Sequence, residues 1–182
     1  MQEEKNRRIL IVDDNRTIHE DFRKILAARA DTGALDRAEA ELLGTPLNEA
    51  PAPEAEVFDL DSAYQGQEAW EMVKAAVASG SRYAMAFVDM RMPPGWDGVE
   101  TIAKMWDTDP GIQVVICTAY SDYSWEEIIR KLGHVDRLLI LKKPFDTVEV
   151  CQLACALTQK WHLAKHAHLF VRTANAASPV KV

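Results

Sequence analysis

The chain has 182 residues, room for one domain with a sizeable core and somewhat short of two ordinary domains. A hydrophobic content of 48% beside 27% charged residues excludes overall disorder, and a formal net charge of −7 argues against a dedicated nucleic-acid binder, which carries a basic stripe or patch. No apolar run approaches the about 20 residues that cross a bilayer, the N-terminal MQEEKNRR holds no signal-peptide core, and three cysteines do not form a disulfide framework, so no membrane contact and a cytoplasmic location are expected.

The first apolar run, Ile9 to Val12, stops at Asp13 and Asp14. A run that is continuous rather than alternating is how a strand buried on both faces reads. From Asn15 to Ala30, the residues Ile18, Phe22, Ile25 and Leu26 recur at helical spacing, with Asn15 or Thr17 available as N-cap. Residues 31–56 form an insertion. Within it, Ala34 to Leu43 has the spacing of a short helix capped by Gly44, and TPLNEAPAPEAE reads as an extended linker. Two readings of the insertion stand: a solvated segment without a role, or an apolar face that docks a partner or a second copy.

Val57 to Leu60 reads as a short strand whose Asp59 suits a sheet edge. Gln65 to Ser79 follows as a helix that buries Ala69, Trp70, Val73, Ala76 and Val77 and ends at Gly80. Met85 to Val88 is a third buried strand, and it delivers Asp89 just before a Pro93-Pro94-Gly95 loop. A helix from Asp97 or Gly98 to Trp106 carries Val99, Ile102, Ala103 and Trp106 on one face, and Asp109-Pro110-Gly111 is a turn. Ile112 to Cys117 is a strand ending at Thr118, with Cys117 in the core. After the loop AYSDY comes a helix over Trp125 to Leu132, with Ser124 as N-cap and Gly133 as stop.

Leu138 to Leu141 is the last strand, ending in Lys142, Lys143 and Pro144. The final helix runs from Thr147 to about His168. Its positions Val150, Ala154, Leu157, Trp161, Ala164, His168 and Val171 alternate steps of four and three, a heptad seam. Packing on the sheet accounts for the seam up to Leu157. The remainder, Trp161 included, is expected to project, and a projecting seam calls for a homodimer or for continuation into a signalling helix. Cys151, Cys155, His162 and His166 share this helix, but the two pairs are separated by roughly 10 Å of axis, too far for one tetrahedral ion.

Four strands therefore end in polar residues: Asp13 and Asp14, Asp89, Thr118, and Lys142 with Lys143. In open α/β sheets functional groups gather at the carboxyl ends of the strands. Three acids, a hydroxyl and an ammonium suit a hard divalent cation and a phosphoryl group, because Mg²⁺ takes oxygen ligands from one or two carboxylates together with waters and phosphate oxygens.

The order Asp13-Asp14, Asp89 with Met-Pro and Gly98 after it, Thr118-Ala119 and Lys143-Pro144-Phe145 resembles the receiver domain of two-component response regulators. The resemblance covers roughly residues 7–160, interrupted by the insertion at 31–56, and leaves 161–182 as a helix extension and tail. It implies an α/β fold, (βα)5, with a doubly wound parallel sheet of five strands in the flavodoxin-like order 2-1-3-4-5. It also implies that Asp89 accepts a phosphoryl group from a sensor histidine kinase or a phosphotransfer protein. Mg²⁺ is then held by Asp14, Asp89 and the backbone carbonyl of Arg91, with Asp13 acting through a water. A one-residue alignment at the strand end leaves Asp13 and Asp14 exchangeable in those roles.

In the same resemblance Thr118 responds to the phosphoryl group, and Lys143, rather than Lys142, pairs with it, since the family's lysine directly precedes the proline and adjacent strand residues face opposite ways. The Lys143–Pro144 bond is then expected to be cis. Ile140 departs from the aromatic residue many receivers carry three positions before the lysine, which leaves Tyr120 to contribute bulk. Such a chain catalyses only its own phosphorylation and dephosphorylation, and its output passes to a downstream protein partner or a fused output domain. Two rivals remain: a dehalogenase-type hydrolase, which needs an acid two residues after Asp89 where this chain has Arg91, and a pseudo-receiver that docks or dimerises without being phosphorylated.

Overall fold

The computed structural model describes residues 5–27, 57–119, 125–133 and 136–176, with side chains to residue 167. The short helix and linker of the insertion, Tyr120, Ser124 and the side chains of His168 and Val171 lie outside the described residues. The strands are β1 (Arg8–Val12), β2 (Asp59–Ala63), β3 (Met85–Asp89), β4 (Gln113–Thr118) and β5 (Leu138–Lys142). Helix α1 covers residues 16–27, followed in turn by α2 (Gly66–Ser79), α3 (Gly98–Thr108), α4 (Trp125–Leu132) and α5 (Thr147–Ala176). All strand pairs are parallel, and the sheet order is β2-β1-β3-β4-β5, as expected for a doubly wound sheet.

Because strand side chains alternate between faces, each apolar run divides into two cores. Leu10, Val12, Ala86, Val88, Val114 and Ile116 meet α2, α3 and α4 through Val73, Ile102, Met105 and Ile128. Ile9, Ile11, Met85, Phe87, Val115 and Cys117 meet α1 and α5 through Phe22, Leu26, Val150, Ala154 and Leu157. The Phe22 ring lies 4.6 Å from that of Phe87 and 5.0 Å from that of Phe145. Each such large side chain, fully buried, is worth about 1.5–3 kcal/mol.

Local signals place the helices where the spacing puts them. Asn15 accepts from the Thr17 amide at 3.0 Å and so caps α1, and Asp97 accepts from the Glu100 amide at 2.8 Å and caps α3. Gly80 ends α2 with φ 75° and Gly133 follows α4 with φ 67°, left-handed conformations that glycine takes without a Cβ clash. The two aromatic and β-branched residues expected in the α2 stripe, Trp70 and Val77, are only half-buried. Trp70 reaches the surface and donates its indole N–H to Thr108 Oγ1 at 3.0 Å.

Two further expectations need correction. The second strand is Asp59–Ala63, not Val57–Leu60; it does lie at the sheet edge. Val57 is 62% exposed, and what holds this polar strand is Arg8 of β1, opposite it in register, whose guanidinium lies 2.5 Å from Asp61 Oδ2 and 3.4 Å from Asp59 Oδ2. Nor does Trp161 project: it is 8% exposed and sits with Pro110, Gly111 and Gln113 in a groove near the amino ends of the strands. Ala164, one step further along the seam, is exposed, and so is Leu163.

Candidate functional site

Parallel register brings the polar strand ends to one edge. Val12 pairs with Val88, Asp89 with Cys117, and Thr118 with Lys142, so Asp13, Asp89, Thr118 and Lys143 all emerge at the same end of neighbouring strands. Asp13 and Asp89 are buried, at 3% and 8% exposure. The cation that allows this is Lys143, whose Nζ donates to Asp89 Oδ1 at 2.6 Å and to Asp13 Oδ2 at 2.8 Å. Lys142, the competing lysine, is exposed. The Lys143–Pro144 bond is cis, as is Pro93–Pro94.

The remaining carboxylate oxygens are held by main-chain amides. Asn15 N–H donates to Asp13 Oδ1 and Arg91 N–H to Asp89 Oδ2, each at 2.9 Å. Thr118 is half-buried, and its hydroxyl donates to the Ala119 carbonyl at 2.8 Å. Asp14 is exposed beside this group. The loop after Asp89 returns tightly: Gly98 N–H donates to the Met90 carbonyl at 3.0 Å, and a Cβ on Gly98 would collide with the Asp89 carbonyl oxygen. Only glycine lets α3 begin so near the acid.

Burial pushes the Asp89 carboxyl above the usual carboxylate range; Lys143 and the Arg91 amide pull it back, the Asp13 charge adds to the push, and the balance stays upward. Burial works to lower the Lys143 ammonium, but its bonds to Asp13 and Asp89 outweigh that and hold it above its ordinary value. Among the described residues no three acidic, His or Cys side chains converge as a ready ligand set. Mg²⁺ does not require one, since it keeps several waters and takes one or two carboxylates. The donors here, the carboxylates of Asp13, Asp14 and Asp89 and the carbonyl of Arg91, are all hard oxygens, and they fit that ion.

The site also contains a residue that the sequence reading passed over. His19, on α1 and fully buried, bonds the backbone oxygen of Asp13. It shares the helical stripe of Phe22 and Leu26, three and seven positions on, and a histidine on an otherwise apolar stripe was the available signal.

Comparison with known proteins agrees with this architecture. The family model for the response regulator receiver domain matches residues 51–154. Sporulation initiation phosphotransferase F of Bacillus subtilis (strain 168) is 30% identical over 95 residues, which cover 52% of this chain and 73% of that protein. A structure of adenylate cyclase from Rhodopirellula baltica superposes with a TM-score of 0.64 at 20% identity, over 92% of this chain and 98% of that one. A response regulator receiver protein from Sinorhizobium medicae WSM419 gives 0.57 at 20% identity, over 85% and 95%. At these identities the structural likenesses speak for the fold alone. The family match begins after β1 and α1, which the insertion separates from the rest, yet β1 takes its place inside the sheet and sets Asp13 beside Asp89. Over more than half its length, including the strands that carry Asp89, Thr118 and Lys143, this chain belongs to the response regulator receiver domain family.

Proposed function

We propose that the chain accepts a phosphoryl group on Asp89 from a phosphohistidine of a sensor histidine kinase or phosphotransfer protein. The observation that carries this reading is Lys143 Nζ, fixed 2.6 Å from Asp89 Oδ1 and 2.8 Å from Asp13 Oδ2. A carboxylate oxygen of Asp89 attacks phosphorus and the P–N bond breaks. The donor ring, protonated at its other nitrogen, leaves as neutral imidazole. Such a transfer asks little of the protein beyond positioning and charge, and Lys143 supplies both by staying with the phosphoryl oxygens. Held by Asp14, Asp89 and the Arg91 carbonyl, with Asp13 through a water, Mg²⁺ supplies when bound the further positive charge that offsets those oxygens.

Thr118 carries the response. Turning its hydroxyl to the acyl phosphate withdraws it from the Ala119 carbonyl, the start of the connection to α4. That change reaches the surface around α4, β5 and α5, where a downstream partner or fused output domain reads it; Trp125 of α4, Ile140 of β5 and Val148 of α5 are each exposed. Ile140 has no aromatic ring to rotate, so Thr118 acts without that switch. The body of the domain runs from residue 7 through Trp161, the rest of α5 is an extension open to a second copy, and the site of action is the cytoplasm. Titration of Mg²⁺ and then beryllium fluoride, followed by tryptophan fluorescence, tests the reading. Saturable binding in wild type that is lost in Asp89→Asn supports it. A folded wild type that binds neither leaves the pseudo-receiver in its place.

A further inference from the structure

We infer that His19 is a positioning residue for the acidic pair Asp13–Asp14, because its imidazole fixes the peptide that joins them; the inference rests on the phosphoacceptor reading above. His19 Nε2 lies 2.7 Å from the Asp13 carbonyl oxygen, and Nδ1 lies 2.9 Å from Ser62 Oγ on β2. A carbonyl only accepts, so Nε2 carries the hydrogen. In the neutral ring Nδ1 is then the acceptor, and Ser62 Oγ, which accepts from Arg23 at 2.6 Å, donates its own hydrogen to it. A directed run results: Arg23 to Ser62, Ser62 to His19, and His19 to Asp13.

Packing alone does not call for a histidine here. The position is fully buried, and an aliphatic residue would fill it without two ring nitrogens that must each find a partner. What the imidazole adds is control of one carbonyl at the end of β1. That carbonyl belongs to the peptide plane leading into Asp14, so its partner sets the direction in which Asp14 leaves the strand. With His19 in place, all four polar atoms of Asp13 are partnered. The amide donates to Ala63 O at 3.2 Å, the carbonyl accepts from His19, and the two carboxylate oxygens accept from Asn15 and Lys143. The ring also packs on Tyr64, with centroids 4.6 Å apart, which fixes its plane. Partners that orient ligating groups in this way commonly change metal affinity by about 10- to 100-fold when removed.

Calorimetric Mg²⁺ titration of wild type, His19→Leu, His19→Gln and Ser62→Ala tests this, with circular dichroism as a check on folding. His19→Leu is expected to weaken Mg²⁺ binding about 10-fold or more. His19→Gln, whose amide can donate to Asp13 O and accept from Ser62, is expected to recover it to within about 3-fold. The ¹⁵N spectrum of the wild-type ring is expected to show the hydrogen on Nε2 before any Mg²⁺ is added. Unchanged binding in His19→Leu, a glutamine variant as poor as the leucine variant, or a neutral ring protonated on Nδ1 would each overturn the inference. Should His19→Leu not fold, Ser62→Ala carries the test, with weakening of about 2- to 5-fold expected and unchanged binding counting against the role. A wild type that binds no Mg²⁺ brings down the phosphoacceptor reading and this inference with it, whereas equal binding by wild type and the His19 variants sinks the inference alone.

Discussion

Gly98 packs directly against the main chain of Asp89, so closely that a side chain at position 98 would meet the Asp89 carbonyl and stand 3.0 Å from Met90 Cα. Neither neighbour is a flexible side-chain end, so relief must come from moving the backbone that carries the Asp89 carboxylate. Gly98→Ala is expected to destabilise the protein by about 1–3 kcal/mol and to reduce beryllium fluoride binding at the same time. Gly80→Ala, in open space but at φ 75°, is expected to cost about 1 kcal/mol with ligand binding unchanged. Urea melts and titrations on the two variants separate the effects.

The ion pairs of Lys143 are coupled. Lys143→Met leaves Asp13 and Asp89 facing each other without their shared cation, whereas Asp89→Asn removes one of the two charges that made the cation necessary. The double variant is therefore expected to be more stable than the sum of the single losses indicates, with a coupling of about 0.5–3 kcal/mol. Simple additivity in a double-mutant cycle would show that the contacts at 2.6 and 2.8 Å contribute nothing jointly.

Tyr83 links the segment before β3 to the edge strand. Its hydroxyl donates to Asp61 Oδ2 at 2.8 Å, and the Arg8 guanidinium lies 4.5 Å from its ring centroid. Burial pushes the phenol well up from its ordinary value, and the bond to Asp61 pushes it further, against the pull of Arg8. A group raised by folding contributes stability that is complete below its unfolded value of about 10 and is lost as pH climbs beyond it. Urea midpoints from about pH 8 to pH 11 are expected to fall more steeply for wild type than for Tyr83→Phe. The phenylalanine variant is also expected to be weaker by about 0.5–1.5 kcal/mol near neutrality, since it leaves Asp61 one donor short.

Trp161 marks how far the domain reaches along α5. It is 8% exposed, while Leu163 two residues later is 59% exposed. Thermal melts of Trp161→Ala are expected to show a loss of about 3 kcal/mol, and those of Leu163→Ala a change within about 0.5 kcal/mol. Equal small effects would return Trp161 to the projecting part of the helix.

How much of this was legible in the sequence depended on where each element finds its support. Strands β1, β3 and β4 are buried on both faces, so their own apolar runs announce them, and the acids and hydroxyl at their ends follow. Lys143 was legible through Pro144 beside it. Strand β2 was placed two to three residues too early because its sequence, Asp59 to Ala63, gives little support of its own. Its stabilising cation, Arg8, lies 51 positions earlier in the chain and becomes a neighbour only through the register. Trp161 fitted a seam of period three and four, but periodicity does not say which part of a long helix is covered. The turn at Asp109–Gly111 that receives it had to be placed by the fold. His19 was overlooked for a similar reason, since its partners Asp13 and Ser62 meet only when β1 and β2 pair.

The last helix begins four residues after Lys143 and continues for 30 residues, roughly 45 Å at the standard rise. Its first half is clamped to the fold by Val150, Ala154 and Leu157 and by Trp161, which leaves about 15 residues, roughly 22 Å, beyond the grip. That free half works as a pointer: a tilt of about 5° at the grip sweeps the far tip through roughly 2 Å. Angular changes too small to disturb the packing at the grip thus become, at the tip, displacements large enough to make or break a side-chain contact.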